Sequence, residues 1–302
     1  MNRTGVLPVL ALLHSAAPIR WSSFTVHWSV VVGLLVLAAA YERAARKGAS
    51  ASGSPAPRAP RPRRPRGHPP APRPYFYAGL FTIFFALNGW LHDLSDYYLF
   101  SAHMVQHLLL TLVAPPLLIA GTPGWMLRPA LRRPVVAATA RWLTKPTHCF
   151  AAFNVVLAAW HLPPLYNLAM AHHPLHIVQH LMFVAAGVLL WWPVLSPLPE
   201  LPRLSYPMQM LYCFVMSIPM SLVSVYITYA DDLLYAAYAS APRVWGITPL
   251  ADQQVGGLIM WIPGGLFFFG VMSVVYWRWQ AHDGDETIAG AQVIEAGLGS
   301  RR

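Results

Sequence analysis

The chain has 302 residues, 56% of them hydrophobic and only 11% charged, with a formal net charge of +10. Soluble domains carry about 25% charged residues, so this composition excludes an ordinary soluble enzyme and describes a membrane protein. The positive charge gathers in alternate loops, where it reads as attraction to anionic lipid; nucleic-acid binding is not required.

Residues 1 to 20 read as an external tail. Asn2-Arg3, the apolar run from Val6 to Leu13 and Ser15-Ala16-Ala17 give it the outline of a weak signal peptide, against which stand Pro8 and His14. Seven apolar runs then follow that can cross about 30 Å of hydrocarbon. They are 21–41, 75–91, 103–121, 147–161, 174–193, 206–229 and 252–277. The expected fold class is all-α, a polytopic membrane helix bundle of about seven transmembrane helices over residues 21–280.

Between the first two runs, residues 42–74 form an Arg/Pro-rich loop. Its stretch 54–74 holds nine prolines and six arginines without an apolar period, the composition of a disordered segment. Of the 21 Lys and Arg, only Arg3, Arg20 and Arg243 fall on the side opposite this loop. An excess of basic residues marks cytoplasmic loops, so the N-terminus is expected outside and the C-terminus, with a tail at 281–302, in the cytoplasm. Cys149 and Cys213 lie near cytoplasmic ends of spans, where thiols stay reduced, and no disulfide is expected.

One pentapeptide pattern occurs twice. His103-Met104-Val105-Gln106-His107 and His176-Ile177-Val178-Gln179-His180 each open an apolar run. Residues four apart share a helix face, so each element presents two imidazoles with a glutamine beside them. The repeat extends backwards: Trp90-Leu91-His92 ends the second span and Trp160-His161 the fourth, which suggests duplicated hairpins.

Ten of the 13 histidines sort to the expected outer face. Neutral imidazole binds Cu, Zn, Fe and Ni, and the carboxylates expected on the same face, Asp93, Asp96, Asp231, Asp232 and Asp252, can ligate or orient a ring through its second nitrogen. His103, His107, His176 and His180 are the candidate metal ligands. His92, His161, Gln106, Gln179, Asp252 and His27 are candidates for further ligation or support. On the sixth span Met210, Cys213, Met216 and Met220 fall within an arc of about 120°, which suits Cu(I) but is also how methionine fills helix packing.

The runs H103MVQH107-LLLTLVAPPLLIAGTP, W160HLPPLYNLAM170 with H176IVQHLMF183, and D252QQVGGLIMWIPGG265 resemble the multi-spanning CtaG family of cytochrome c oxidase assembly factors, over roughly residues 22–280. The resemblance implies a multi-pass protein of the bacterial plasma (inner) membrane that is not an enzyme. It would help assemble haem-copper oxidase, with copper as the bound cofactor. Its partners would be oxidase subunits or a copper chaperone, and membrane lipid.

Two other readings of the same histidines remain open. His172-His173, His176 and His180 look superficially like the histidine boxes of an intramembrane di-iron oxygenase. Imidazoles from two facing helices are also how a b-type cytochrome holds haem.

Overall fold

Apolar segments without period-two alternation satisfy their backbone groups internally as helices, the form that a bilayer permits. The computed structural model describes residues 24–52 and 71–299, with side chains for 24–48 and 71–281, and among these no strand occurs. The expected tail at 1–20 and the stretch 53–70 of the Arg/Pro-rich segment lie outside the described residues.

In chain order the helices are α1 (Trp28–Ser52), α2 (Arg73–Leu87), α3 (Gly89–Tyr97) and α4 (Phe100–Leu108), then a π-helical turn (Leu109–Val113) and α5 (Ala114–Gly121). They continue as α6 (Gly124–Leu131), α7 (Pro134–Leu143), α8 (Pro146–His161), α9 (Pro163–Ala171), α10 (His173–Leu195), α11 (Tyr206–Thr228) and α12 (Pro249–Gly299). Five segments are long and apolar enough to cross a membrane: 28–48, 100–121, 173–195, 206–228 and 249–281. The pair α8 and α9, bent by 73°, brings the number to six.

The expected span 75–91 is not one helix. Asn88 is extended and Gly89 takes φ +64°, a conformation that glycine adopts without a Cβ penalty, so the run divides into α2 and α3. At 15 residues α2 rises about 22 Å, short of the hydrocarbon thickness. The first helix also starts later than expected, at Trp28, and runs on to Ser52, so residues 42–52 of the expected loop are helical. Likewise α12 continues to Gly299, into the expected tail.

The hairpin duplication has a physical counterpart. In both copies a helix breaks, a nine-residue helix follows (α3 or α9), and the next helix carries the paired histidines (α4 or α10). The connectors that read as loops in the sequence are thus short helices at the histidine-bearing end.

Packing follows composition. Phe100, Phe153, Phe183, Trp191, Met216 and Phe268 are almost fully buried in one core joining α4, α8, α10, α11 and α12. Leu35, Leu181, Leu222 and Leu266 point outward, as leucines facing hydrocarbon do. At Gly187 a Cβ would meet Pro115 Cγ at 2.7 Å and the Thr111 carbonyl at 3.0 Å, so only glycine lets α10 approach the π turn and α5 this closely. At the far end Tyr41 stacks on Phe76 with ring centroids 3.8 Å apart and donates to the Gly121 carbonyl, tying α1 to α2 and α5.

Candidate functional site

The four paired histidines meet inside the bundle. Ring centroids lie 4.2 Å apart for His103 and His107, 4.3 Å for His176 and His180, 5.4 Å for His103 and His176, and 5.7 Å for His107 and His180. All four residues are buried. One ring nitrogen from each of His103, His176 and His180 lies within 4.8 Å of the others. A single tetrahedral ion about 2 Å from each nitrogen would hold them about 3.3 Å apart, so these rings need close by only an ångström or so.

Hydrogen bonds fix which nitrogens are bare. Tyr238 donates its one hydroxyl proton to the Ser95 carbonyl at 2.6 Å. Its oxygen must therefore accept from His103 Nδ1–H at 3.2 Å and from the Tyr166 hydroxyl at 2.9 Å. His103 Nε2 then carries a lone pair, which accepts the Nε2–H of His107 at 2.7 Å. That leaves His107 Nδ1 bare, and no group bonds to it.

The second pair is held from the opposite side. Asp96 Oδ2 stands 3.5 Å from His176 Nδ1 and 3.4 Å from His92 Nε2. Gln106 Nε2 donates to the Ala86 carbonyl at 2.8 Å and to His92 Nδ1 at 3.1 Å, so His92 Nε2 bears the proton that faces Asp96. Burial, with Asp96, Asp252 and Tyr235 nearby, raises the Tyr238 phenol against the opposing pull of the Tyr166 hydroxyl, keeping it a neutral donor. His176 Nε2 and His180 Nε2 are buried without a partner.

The supporting residues expected from sequence divide clearly. His92 and Gln106 orient their neighbours through both of their contacts. His161 donates from Nδ1 to the Leu157 carbonyl at 2.7 Å, leaving Nε2 unpartnered on a ring 5.8 Å from that of His107. Gln179, the counterpart of Gln106, is fully buried with both amide atoms unpaired. His27 sits outside the cluster, its ring 4.2 Å from that of His92.

Of the two tasks expected for Asp252, further ligation or support, its hydrogen bonds fit support. Its Oδ2 accepts from Phe100 N at 2.6 Å, and its Oδ1 from Ser101 N at 3.2 Å and Ser101 Oγ at 2.5 Å. The carboxylate of α12 thus caps the N-terminus of α4, where amides are otherwise unpaired and the helix dipole favours negative charge. Both oxygens face α4 amides, so Asp252 supports the site through the helix that carries His103.

The sulfur stripe lies in the apolar core. Cys213, Met216 and Met220 are buried and Met210 half-buried. Met216 Sδ takes the Asn154 amide at 3.6 Å, and Met220 packs beside Gly264.

Asp96 is one of the external carboxylates that the sequence offers to ligate a metal or orient a ring, whereas Tyr166, Tyr235 and Tyr238 were not singled out. Asp96 stands four residues after His92, on the same helix face, which was a usable signal. The tyrosines belong to α9 and to the connector between α11 and α12, where Tyr235 donates to the His161 carbonyl at 2.9 Å. Gln253 and Asn167 pin that connector over the cluster by bonds to its backbone.

Fold and site together define a polytopic helical membrane protein with a buried imidazole cluster at one end. The chain belongs to the family of cytochrome c oxidase caa3 assembly factors (Caa3_CtaG), whose model matches residues 58–282. It is also 26% identical to uncharacterized proteins of Mycobacterium bovis and Mycobacterium tuberculosis over 201 residues, 61% of this chain. A Mycobacterium leprae protein, likewise uncharacterized, is 26% identical over 204 residues. The matched region spans 30% of the length of these relatives. No solved structure matches the chain.

Proposed function

We propose that this protein is a non-catalytic assembly factor that holds copper at the outer face of the bacterial plasma membrane and releases it to haem-copper cytochrome c oxidase or to a copper chaperone. In this reading the bundle crosses the membrane seven times, with α2 and α3 together making the seventh passage. The N-terminus is outside and the C-terminus cytoplasmic. His103, His107, His176 and His180 are the ligands, and copper is cargo.

The observation that carries this reading is the set of buried ring nitrogens left without hydrogen-bond partners on facing helices. An unpaired buried acceptor is destabilising by about 1–3 kcal/mol, and several at one spot are tolerated when a cation can take them. Asp96 behind His176, and Tyr238 behind His103, supply the outer contacts that raise ligand basicity and fix ring orientation. Membership of the oxidase assembly family supports the destination.

Detergent-purified protein loaded with copper should retain it through desalting, while His103→Ala/His107→Ala should not. Equal retention by both refutes the ligands. Iron in the elemental analysis, or a Soret band, refutes the metal. A deletion strain should lack assembled oxidase, and the double variant should fail to restore it.

A further inference from the structure

The buried cluster has a histidine-lined approach from the surface. Residues 24–27, ahead of α1, are pinned to the break between α2 and α3 by three bonds: Gly89 N to the Thr25 carbonyl, His27 N to Asn88 Oδ1, and Thr25 Oγ1 to Asp93 Oδ2, each 2.8 Å. This anchoring holds the His27 ring 4.2 Å from that of His92 and 6.3 Å from that of His173. His173 is exposed at the start of α10 and His27 is half-buried. His27 Nε2 and Asp93 Oδ1 are both buried and lack hydrogen-bond partners. Asp93 is also close enough for its charge to act on the His27 ring.

From His27 the string continues without a wide gap. His92 leads to Asp96 at 3.4 Å, Asp96 to His176 at 3.5 Å, and His176 to His103 and His180. Exposure falls along it, from open His173 through half-buried His27 to His103, which no solvent reaches.

We propose that His27, His173 and Asp93 form a separate receiving site for a soft or borderline transition-metal cation, which passes by ligand exchange through His92 and Asp96 to the buried histidines. The inference rests on the copper reading above and adds a surface site and a direction of loading. Each transfer makes one metal–nitrogen or metal–oxygen bond as another breaks, with no change of oxidation state; at His92 the hydrogen bond from Gln106 opens to free the Nδ1 lone pair and closes again when the cation moves on. Imidazole suits such a cation, and a carboxylate at the mouth raises its local concentration.

The test is kinetic. Cu(I) held by a chromophoric chelator is mixed anaerobically with the full-length protein in detergent, and loss of the chelator complex is followed by stopped flow. His27→Ala/His173→Ala should reach the same final copper content as the wild type, but roughly tenfold or more slowly, within the one to three decades over which altered contacts change association rates. His172→Ala, on the exposed neighbour outside the string, should load at the wild-type rate. His27→Gln/His173→Gln, a gentler replacement, should be slow as well, and circular dichroism should show unchanged helix content. An unchanged rate in the double variants overturns the receiving site while leaving the buried centre intact. A reduced final content overturns it too, by making these residues part of the centre. A wild type that takes no Cu(I) overturns both readings.

Discussion

Asp96 shows how one side chain can govern a cluster. Its Oδ2 faces a ring nitrogen of both His92 and His176, which turns the bare Nε2 of His176 inward. Asp96→Asn keeps the shape and loses the carboxylate, so copper affinity should fall by about 10- to 100-fold, as for other partners behind a metal-bound imidazole. Competition against a chelator of known affinity measures this, with helix content unchanged. Tyr238 plays the matching part for His103. Tyr238→Phe removes the acceptor for His103 Nδ1–H, and copper binding should weaken while the ring proton of His103 shifts in NMR spectra of the labelled protein. An unaltered histidine spectrum would deny Tyr238 this role. The histidine pairs were legible because four-residue spacing on a helix is a local property. Tyr238 escaped notice, and Asp96 did not stand out from the other external carboxylates, because their roles arise from contacts across 135 and 80 positions of sequence.

At the scale of elements, α4 is positioned from outside itself. Asp252→Ala would strand the Phe100 and Ser101 amides, and loss of a cap costs about 0.5–2 kcal/mol. A lower melting temperature in detergent is therefore expected, together with weaker copper retention, because His103 and His107 ride on the same helix. From sequence Asp252 stood as either a further ligand or a supporting group, because an acid opening an apolar helix can serve either purpose. Only the packing of α12 against α4 decides. Gly187→Ala should also destabilise the bundle, by about 1–3 kcal/mol, since its Cβ would enter Pro115 and the Thr111 backbone. Thermal unfolding again provides the check. The break at Asn88-Gly89 was hidden because a sliding view of apolar residues does not register one backbone conformation.

At the scale of the whole molecule, most histidines among the described residues gather at one end and most of the described basic residues at the other, which is the basis for the proposal that the cluster lies outside. Ser240→Cys, in the exposed connector over the cluster, should react in intact cells with a membrane-impermeant maleimide, whereas Arg203→Cys should not. The reverse pattern would turn the protein over. Cys149 and Cys213 are both buried and should contribute little background. The all-helical architecture was readable because hydrocarbon permits few alternatives, and the family likeness was readable from three motifs. The exact number of passages was less readable, because length and hydropathy do not reveal where a helix bends.

The π turn at Leu109–Val113 keys this rod to its neighbours. Ala114 N reaches back five residues to the Leu109 carbonyl, the Thr111 hydroxyl donates to the His107 carbonyl at 2.7 Å, and the displaced Thr111 carbonyl accepts from the Trp191 indole at 2.9 Å. One surplus residue is thereby wound into the rod, putting its two halves out of phase by about 100° relative to an uninterrupted α-helix. Deleting Leu110 would erase that offset. The imidazoles and the Trp191 anchorage could then no longer both face their proper neighbours, so a change of a single residue in length would do more harm here than most changes of side chain.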